Sequence, residues 1–250
     1  MSWRLAVPVV AVVAGCGRSG VLEERAPPPA TLAQTPFLAE PHALPTPEHG
    51  LVFDGVDDRI QAFQNPAFDI AGALTIEAWI LAESVANESH ILSHHDDGAE
   101  QGWLLMIRTE RAAFRMYGNP GQFDVGQTVP EPLSAGVWHH LAGTFDGDRK
   151  LTIYVDGLVS QTSLTPSSTA AAPCPTPFEI GVSTDGGGFP FHGVIDEARV
   201  SRGLRYDGPF APPRDRFEAD ADAVGLWHLD ETEPALDSAS DGLDGILGSG

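Results

Sequence analysis

The alternating stretch at residues 137–157 constrains the fold more than any other part of this sequence. It runs VWHHLAGTFDGDRKLTIYVDG. Successive side chains of a β-strand point to opposite faces, so this pattern predicts one face made of Val137, His139, Leu141 and Phe145. The DGD sequence at 146–148 supplies a turn, and LTIYV at 151–155 resumes the alternation. The stretch therefore predicts neighbouring antiparallel strands of a meander.

Other short apolar segments surround this hairpin, and glycines and prolines separate them. They lie at 51–53, 73–80, 90–95, 103–108, 112–117, 178–183 and 191–200. In the second of them, Leu, Ile, Ala and Ile alternate with Thr, Glu and Trp, which is typical of a strand with one face in a core. Many short strands with regular turns predict an all-β fold in preference to an α/β fold.

Four stretches, in this order, resemble the LamG-like jelly-roll domains of the concanavalin A-like lectin/glucanase group. They are LVFDGVDDRI (51–60), ALTIEAWI (73–80), WHHLAGTFDG with LTIYVDG (138–157) and FHGVIDEARVSR (191–202). The resemblance implies a two-sheet antiparallel jelly-roll sandwich, which we place at residues 49–206. It is much less specific for function, because one fold carries many activities.

The charge of the chain limits its partners. Lys and Arg number 14 against 35 Asp and Glu, a net charge of −21. Such a chain repels phosphates, so nucleic-acid binding is excluded, and it attracts divalent cations. The two cysteines, Cys16 and Cys174, are too few for a disulfide framework. Cys174 lies between prolines with no basic neighbour in sequence, so we expect no reactive thiol there.

The N-terminal residues predict export. The sequence Val-Ala-Gly-Cys that ends at Cys16 resembles a bacterial lipobox, so residues 1–16 are expected to be a lipoprotein signal peptide with Cys16 lipidated. The apolar run before it is about half the ~20 residues that a membrane-spanning helix needs. The proline-rich residues 17–48 predict an extended tether. We therefore expect a lipid-anchored protein of the bacterial cell envelope, at the outer membrane or cell surface. The alternative is ordinary secretion with Cys16 incidental.

The C-terminal region departs from the family order. Residues 207–222 are expected to be a linker, and residues 223–250 resemble the segment that normally opens such a domain. One hypothesis is that the strand at 224–229 folds back and completes the sandwich, since the termini of a domain often lie close together. The alternative is that residues 223–250 are the remnant of a second, truncated repeat.

The sequence carries no catalytic motif that we can identify. Glucanases of this fold group have a Glu-x-Asp-x-(x)-Glu strand, which is absent here, and retaining hydrolysis needs two carboxyl groups about 5–5.5 Å apart. Asp196 and Glu197 are neighbours on a predicted strand, so they are expected on opposite faces. The same argument separates His94 from His95. We expect a non-catalytic protein, with a glycoside hydrolase as an alternative.

Calcium is the metal that the resemblance implies. Related domains often hold a structural Ca²⁺ where the first and last strands meet, which would unite Asp54 or Asp58 with Asp196. Calcium takes six to eight oxygen ligands, mostly from carboxylates and tight turns. Further candidates are Asp57, Asp237 and Asp241. The alternative is turn chemistry without a metal, since Asp-Gly pairs are common in turns.

A ligand site remains unassigned in the sequence. Carbohydrate sites usually present an exposed aromatic face with polar groups beside it. Four tryptophans lie on predicted strands and are expected to be mostly core: Trp79, Trp103, Trp138 and Trp227. Tyr117, Tyr154 and the loops at 118–124 and 184–191 are better placed for a ligand. The favoured function is a non-catalytic surface module that binds glycan or extracellular protein. The alternative is a structural or adhesive envelope protein without a small-ligand site.

Overall fold

The computed structural model describes residues 50–118, 121–126, 132–164, 171–183, 188–214, 216–230, 235–240 and 242–248, with the backbone alone for 121–126. The expected signal peptide, Cys16, the tether up to residue 48 and Asp241 lie outside the described residues. No helix in the described part of the chain has the length and apolar character needed to cross a bilayer.

Fourteen strands and one 3₁₀ turn make up the described structure. They are β1 (Leu51–Asp54), β2 (Arg59–Ala62), the 3₁₀ turn (Pro66–Phe68), β3 (Leu74–Ala82), β4 (Ser89–Asp96), β5 (Gln101–Ile107), β6 (Ala112–Gly118), β7 (Gly121–Gly126), β8 (Trp138–Phe145), β9 (Lys150–Val155), β10 (Leu158–Leu164), β11 (Phe178–Ile180), β12 (His192–Arg202), β13 (Ala223–Trp227) and β14 (Gly245–Gly248).

These strands form two antiparallel sheets. The first has the order β1-β12-β3-β8-β9-β10, with β13 also paired to β12, and the second has the order β14-β2-β11-β4-β5-β6-β7. The predicted hairpin is confirmed, since Leu141 of β8 pairs with Val155 of β9 and Phe145 pairs with Leu151. The prediction of an all-β, two-sheet jelly-roll sandwich is confirmed with it.

Alternation along β3 explains how the sheets enclose one core. Leu74, Ile76, Ala78 and Ile80 are at most 1% exposed and belong to the apolar cluster between the sheets. Their neighbours Thr75, Glu77 and Trp79 are also buried, although they lie on the outer face of the first sheet. Something must therefore cover this outer face as well.

The cover is the segment at 203–222, which the sequence predicted as a linker from residue 207. Its start is bonded to the sheet by the N–H of Gly203, which donates to the carbonyl of Ala73 at 2.8 Å. Further along, the N–H of Phe210 donates to the carbonyl of Gly157 at 2.9 Å. Gly157 has a φ of +76°, and a Cβ there would collide with the Phe210 carbonyl oxygen. The turn after β9 thus needs glycine for two reasons.

Two strands from opposite ends of the described chain share one edge of β12. β1 pairs with the first part of β12, where Leu51 is opposite Ile195. β13 pairs with the later part, where Trp227 is opposite Ala198. β14 meanwhile pairs with β2 at the edge of the second sheet. This is the arrangement required by the hypothesis that the C-terminal strand folds back, and the deletion described in the Discussion is its test.

Candidate functional site

Two consecutive histidines of β4, His94 and His95, point to opposite sides of the second sheet. The His94 ring lies in the core, 5.6 Å from the rings of Phe68 and Trp103, and its Nε2 is 3.3 Å from Asp69 Oδ1. His95 points to the outer face, where its ring centroid is 5.5 Å from that of His90. The predicted divergence of His94 and His95 is confirmed, and a different pair, His90 with His95, comes together.

His90 and His95 form a buried, uncharged pair. Each is 1% exposed. His95 Nδ1 is 2.9 Å from Ser93 Oγ, and His90 Nε2 is 3.3 Å from Glu88 Oε1. The other ring nitrogens, His90 Nδ1 and His95 Nε2, have no hydrogen-bond partner among the described residues. Burial lowers the pKa of each histidine to about 4, so both are neutral at physiological pH.

Aromatic side chains flank this pair on both sides. The ring of Tyr117 stacks on His95 at 6.2 Å with an interplanar angle of 6°, and the ring of Phe189 lies 5.1 Å from His90. Tyr117 is buried, whereas Phe189 is 39% exposed. Two of the places that the sequence favoured for a ligand, Tyr117 and the loop that includes Phe189, therefore flank the same histidine pair.

Charged groups complete the site. The hydroxyl of Tyr117 donates to the carboxylate of Asp97, and Arg115 Nη1 lies 3.5 Å from Asp97 Oδ1. The side chain of Asp97 is 55% exposed and that of Glu88 is 25% exposed, so both carboxylates reach the surface. We call the set of seven residues the histidine face: Glu88, His90, His95, Asp97, Arg115, Tyr117 and Phe189. It offers an apolar ring beside hydrogen-bond donors and acceptors.

The outer face of the first sheet is closed by the segment at 203–222. Tyr154, another position favoured by the sequence, is 1% exposed, and its hydroxyl donates to the carbonyl of Tyr206 at 3.0 Å. Trp79 is 2% exposed and donates from Nε1 to the carbonyl of Pro213 at 3.0 Å. Neither side chain is available to a ligand in this arrangement.

A buried carboxylate, Glu77, holds this cover in place. It is 0% exposed and accepts from Arg199 Nη2 at 2.7 Å and from the hydroxyl of Tyr206 at 2.7 Å. His140 Nε2 lies 3.1 Å from its second oxygen. Burial alone would raise the pKa of Glu77, but the hydrogen bond with His140 and the charge of Arg199 outweigh it and lower this pKa to about 2. His140 is therefore a structural residue of the sheet.

The expected separation of Asp196 and Glu197 was wrong. β12 has a bulge between Asp196 and Arg199, and Glu197 has a φ of +50°. A bulge inserts an extra residue and breaks the alternation of faces. Asp196 Oδ1 accepts from the N–H of Glu197 at 2.9 Å. Burial, and then the charge of Glu197, raise the pKa of Asp196 to about 7, so the two carboxyl groups act on each other.

Glu197 forms hydrogen bonds and an ion pair with residues 216–228. Its carboxylate accepts from the N–H of Phe217 at 2.7 Å, and His228 Nδ1 lies 2.9 Å from both of its oxygens. Arg216 Nε lies 3.8 Å from Oε1. Glu197 therefore docks Arg216, Phe217 and His228 onto the bulge.

The candidate calcium ligands do not all converge. Asp54, Asp57 and Asp58 each place one carboxylate oxygen within 4.8 Å of the others, whereas Asp196 is not part of this group. Asp54 Oδ1 accepts from the N–H of Val56 at 2.8 Å, and Asp58 Oδ2 accepts from the N–H of Asp54 at 2.9 Å. These bonds are those of an Asx-type turn.

Asp237 also serves the backbone. Its Oδ1 accepts from the N–H of Leu226 at 2.8 Å and its Oδ2 from that of Leu243 at 2.7 Å. A shallow cleft of about 240 Å³ lies beside the acidic turn, with Val52, Asp58, Arg59 and Leu247 in its wall. This volume is below the range of about 300–1,000 Å³ typical of small-molecule sites. We take the histidine face as the candidate site, because it combines an exposed aromatic ring with surface carboxylates.

Comparison with known proteins agrees with the fold. The family model described as the concanavalin A-like lectin/glucanases superfamily matches residues 54–205. No curated protein matches the sequence significantly.

Solved structures with similar folds come from several organisms. A putative carbohydrate binding protein from Bacteroides ovatus has a TM-score of 0.59 and 18% identity over 80% of this chain, which spans only 59% of that protein. A SAP-like pentraxin from Limulus polyphemus has a TM-score of 0.50 and 15% identity, with 79% of this chain and 93% of that one covered. The sialidase module CBM40 from Ruminococcus gnavus, bound to α2,6-sialyllactose, has a TM-score of 0.50 and 12% identity, with 64% and 93% covered. With its two antiparallel sheets and a match over more than half of its length, this chain belongs to the concanavalin A-like lectin/glucanases superfamily.

Proposed function

We propose that this protein is a non-catalytic module that binds carbohydrate on the histidine face. The observation that carries the proposal is the placement of an exposed aromatic ring, Phe189, and the surface carboxylates of Glu88 and Asp97 around the buried pair of His90 and His95. Two proteins of similar fold are described as a carbohydrate binding protein and as a sialyllactose-bound module, which supports this class of ligand.

The geometry suits the two kinds of contact that sugars make. The C–H face of a sugar ring packs on an aromatic ring, which Phe189 supplies. Carboxylates accept hydrogen bonds from hydroxyl groups, and the guanidinium of Arg115 beside Asp97 donates them. The neutral rings of His90 and His95, with one unsatisfied nitrogen each, add polar groups beneath the surface.

The acidic pair on β12 does not support a hydrolase. Hydrolysis of a glycosidic bond needs one carboxyl group as the acid and a second carboxylate that reaches the sugar or a water. Glu197 is 5% exposed and is bonded to Phe217 and His228. We therefore assign Glu197 to docking of residues 216–228.

A glycan array with the full chain tests the proposal. We expect retention of a defined set of glycans and loss of that binding in Phe189→Ala. Phe63→Ala is the matched control, because Phe63 is 71% exposed and lies after β2, away from the histidine face in sequence. An array without any bound glycan, or equal binding by Phe189→Ala and the parent protein, would contradict the proposal.

Calcium binding and lipid anchoring are further proposals. The Asp54, Asp57 and Asp58 carboxylates supply three of the six to eight oxygens that Ca²⁺ takes, so water or backbone would have to supply the rest. Calorimetry with Ca²⁺ after EDTA treatment should show heat and a thermal shift that Asp57→Asn removes, and neither effect would be seen without a site. For the anchor, Cys16→Ser should abolish both labelling by radioactive fatty acid and recovery with the cell envelope.

A further inference from the structure

The charges around the histidine face bear on which sugars it can take. The carboxylates of Glu88, Asp96 and Asp97 lie close to this face. Glu88 is beside His90, and the charges of Asp97 and Asp96 favour the protonated form of His95. The guanidinium of Arg115 lies among them and is 3.5 Å from Asp97. These four groups together carry a negative charge.

The long-range charge of the chain has the same sign. The net charge is −21, so an anionic ligand is repelled before it reaches any site. His90 and His95 do not reverse this local balance, because each is 1% exposed and neutral. His90 Nδ1 has no hydrogen-bond partner among the described residues, so a buried polar nitrogen lies beneath this face.

We infer that the histidine face selects glycans by charge: it takes amino sugars with a free amine most tightly, uncharged sugars next, and sugars with a carboxylate least. This inference rests on the proposed function and adds the chemical class of the ligand. A protonated amine is attracted by Asp97 and Glu88, and a sugar carboxylate is repelled by both. The sialyllactose ligand of the module from Ruminococcus gnavus carries the opposite charge, so the fold alone does not lead to this order.

The test compares matched oligosaccharides on the full chain. The probes are trimers of glucosamine, N-acetylglucosamine and glucuronic acid, which differ mainly in charge, printed on an array beside other neutral and acidic glycans. At about 20 mM salt we expect the amine form to bind about tenfold more tightly than the acetylated form, with the difference shrinking at about 500 mM salt. The glucuronic acid trimer should bind least at both.

A charge variant connects this order to the site. Asp97→Asn keeps the shape of an exposed side chain and removes its charge, so the advantage of the amine form should fall about threefold. Asp148→Asn removes the same charge from an exposed position in the turn between β8 and β9, and it should leave the order unchanged.

The outcomes separate the two proposals. Tighter binding of the acidic than of the neutral or amine form would overturn the charge selection and leave glycan binding intact. An unchanged preference in Asp97→Asn would also overturn it, because the selection would then arise elsewhere. The absence of binding to every glycan would overturn the proposed function and this inference together.

Discussion

The carboxylate of Asp196 accepts a hydrogen bond from the backbone N–H of Glu197, its immediate neighbour, at 2.9 Å. The bulge in β12 makes this contact possible, because it turns Glu197 into the left-handed region at a φ of +50°. Asp196 and Glu197 are each 5% exposed, so two adjacent acidic residues are buried. Burial, and then the charge of Glu197, favour the protonated form of Asp196.

Replacement of Asp196 by Asn should stabilise the protein at neutral and higher pH. The pKa of Asp196 is raised from 3.8 to about 7 in the folded state, so the folded state binds this proton more tightly than the unfolded chain does. The resulting stability is fully present below pH 3.8 and is lost as pH rises through about 7. Relative to the parent protein, Asp196→Asn should therefore gain about 4 kcal/mol between pH 4 and pH 8.

Urea unfolding across this pH range measures the gain. Asp222→Asn is the control, because it makes the same substitution at an exposed position. A constant difference for Asp196→Asn would show that Asp196 is ionised throughout.

Loss of the Glu77 carboxylate should be strongly destabilising. Glu77→Gln leaves Arg199, whose side chain is 7% exposed, without its charged partner, and breaking a buried pair in this way costs about 3–5 kcal/mol. Glu83→Gln, at an exposed position just after the same strand, should change the free energy of unfolding by less than about 0.5 kcal/mol. Chemical denaturation provides both values. Equal stability of the two variants would show that Glu77 does not hold the cover.

Acidification should weaken the fold through His90 and His95. Burial lowers the pKa of both from 6.5 to about 4. Between these pH values the unfolded chain therefore binds protons that the folded protein does not bind. The stability that these neutral rings contribute is complete above pH 6.5 and is lost as pH falls towards 4.

The variant His90→Phe isolates this effect. It should flatten the dependence of the free energy of unfolding on pH between 6.5 and 4, since one buried titrating group is gone. His192→Phe is the matched control, because it makes the same replacement at an exposed position. Identical slopes for all three proteins would show that His90 does not contribute to the loss of stability in acid.

Deletion of residues 220–250 decides between the two hypotheses for the C-terminal region. The deletion removes Trp227, which is 0% exposed and stacks on Phe178 at 4.7 Å in the core. Removal of such a side chain alone costs about 3–5 kcal/mol, so we expect a sharp fall in melting temperature or no cooperative transition. The point variant Trp227→Ala should show the same trend, and Leu247→Ala, at a 53% exposed position, should not. A deletion that melts like the full chain would favour a truncated repeat.

The alternation rule predicted the regular strands and failed at the bulges. β3 and β8 follow the period of two, so the faces of Glu77, His140 and Leu141 could be assigned from the sequence. At the irregularity between His90 and Leu92, and at Glu197, one extra residue changes which neighbours share a face. A bulge leaves no clear mark in the residue types, so the pairings of His90 and Asp196 could not be predicted.

The candidate site also depends on long-range contacts. His90 and Phe189 are far apart in the chain, and only the docking of β11 between β2 and β4 brings the loop after β11 beside His90. The cover at 203–222 has no regular pattern, because its aromatic residues fill gaps over the first sheet and form no strand of their own. Composition and periodicity contain no information on such contacts.

The shared edge of β12 has a consequence for the order in which the protein is made. While the ribosome is still extending the chain, β12 can pair with β3 and with β1, but half of its other edge has no partner until residues 223–227 emerge. A nascent chain that stops short of this point lacks Trp227 in its core and leaves the backbone donors and acceptors of this half-edge open to pairing with other chains. The native sandwich can therefore form only after residues 223–227 have been synthesised.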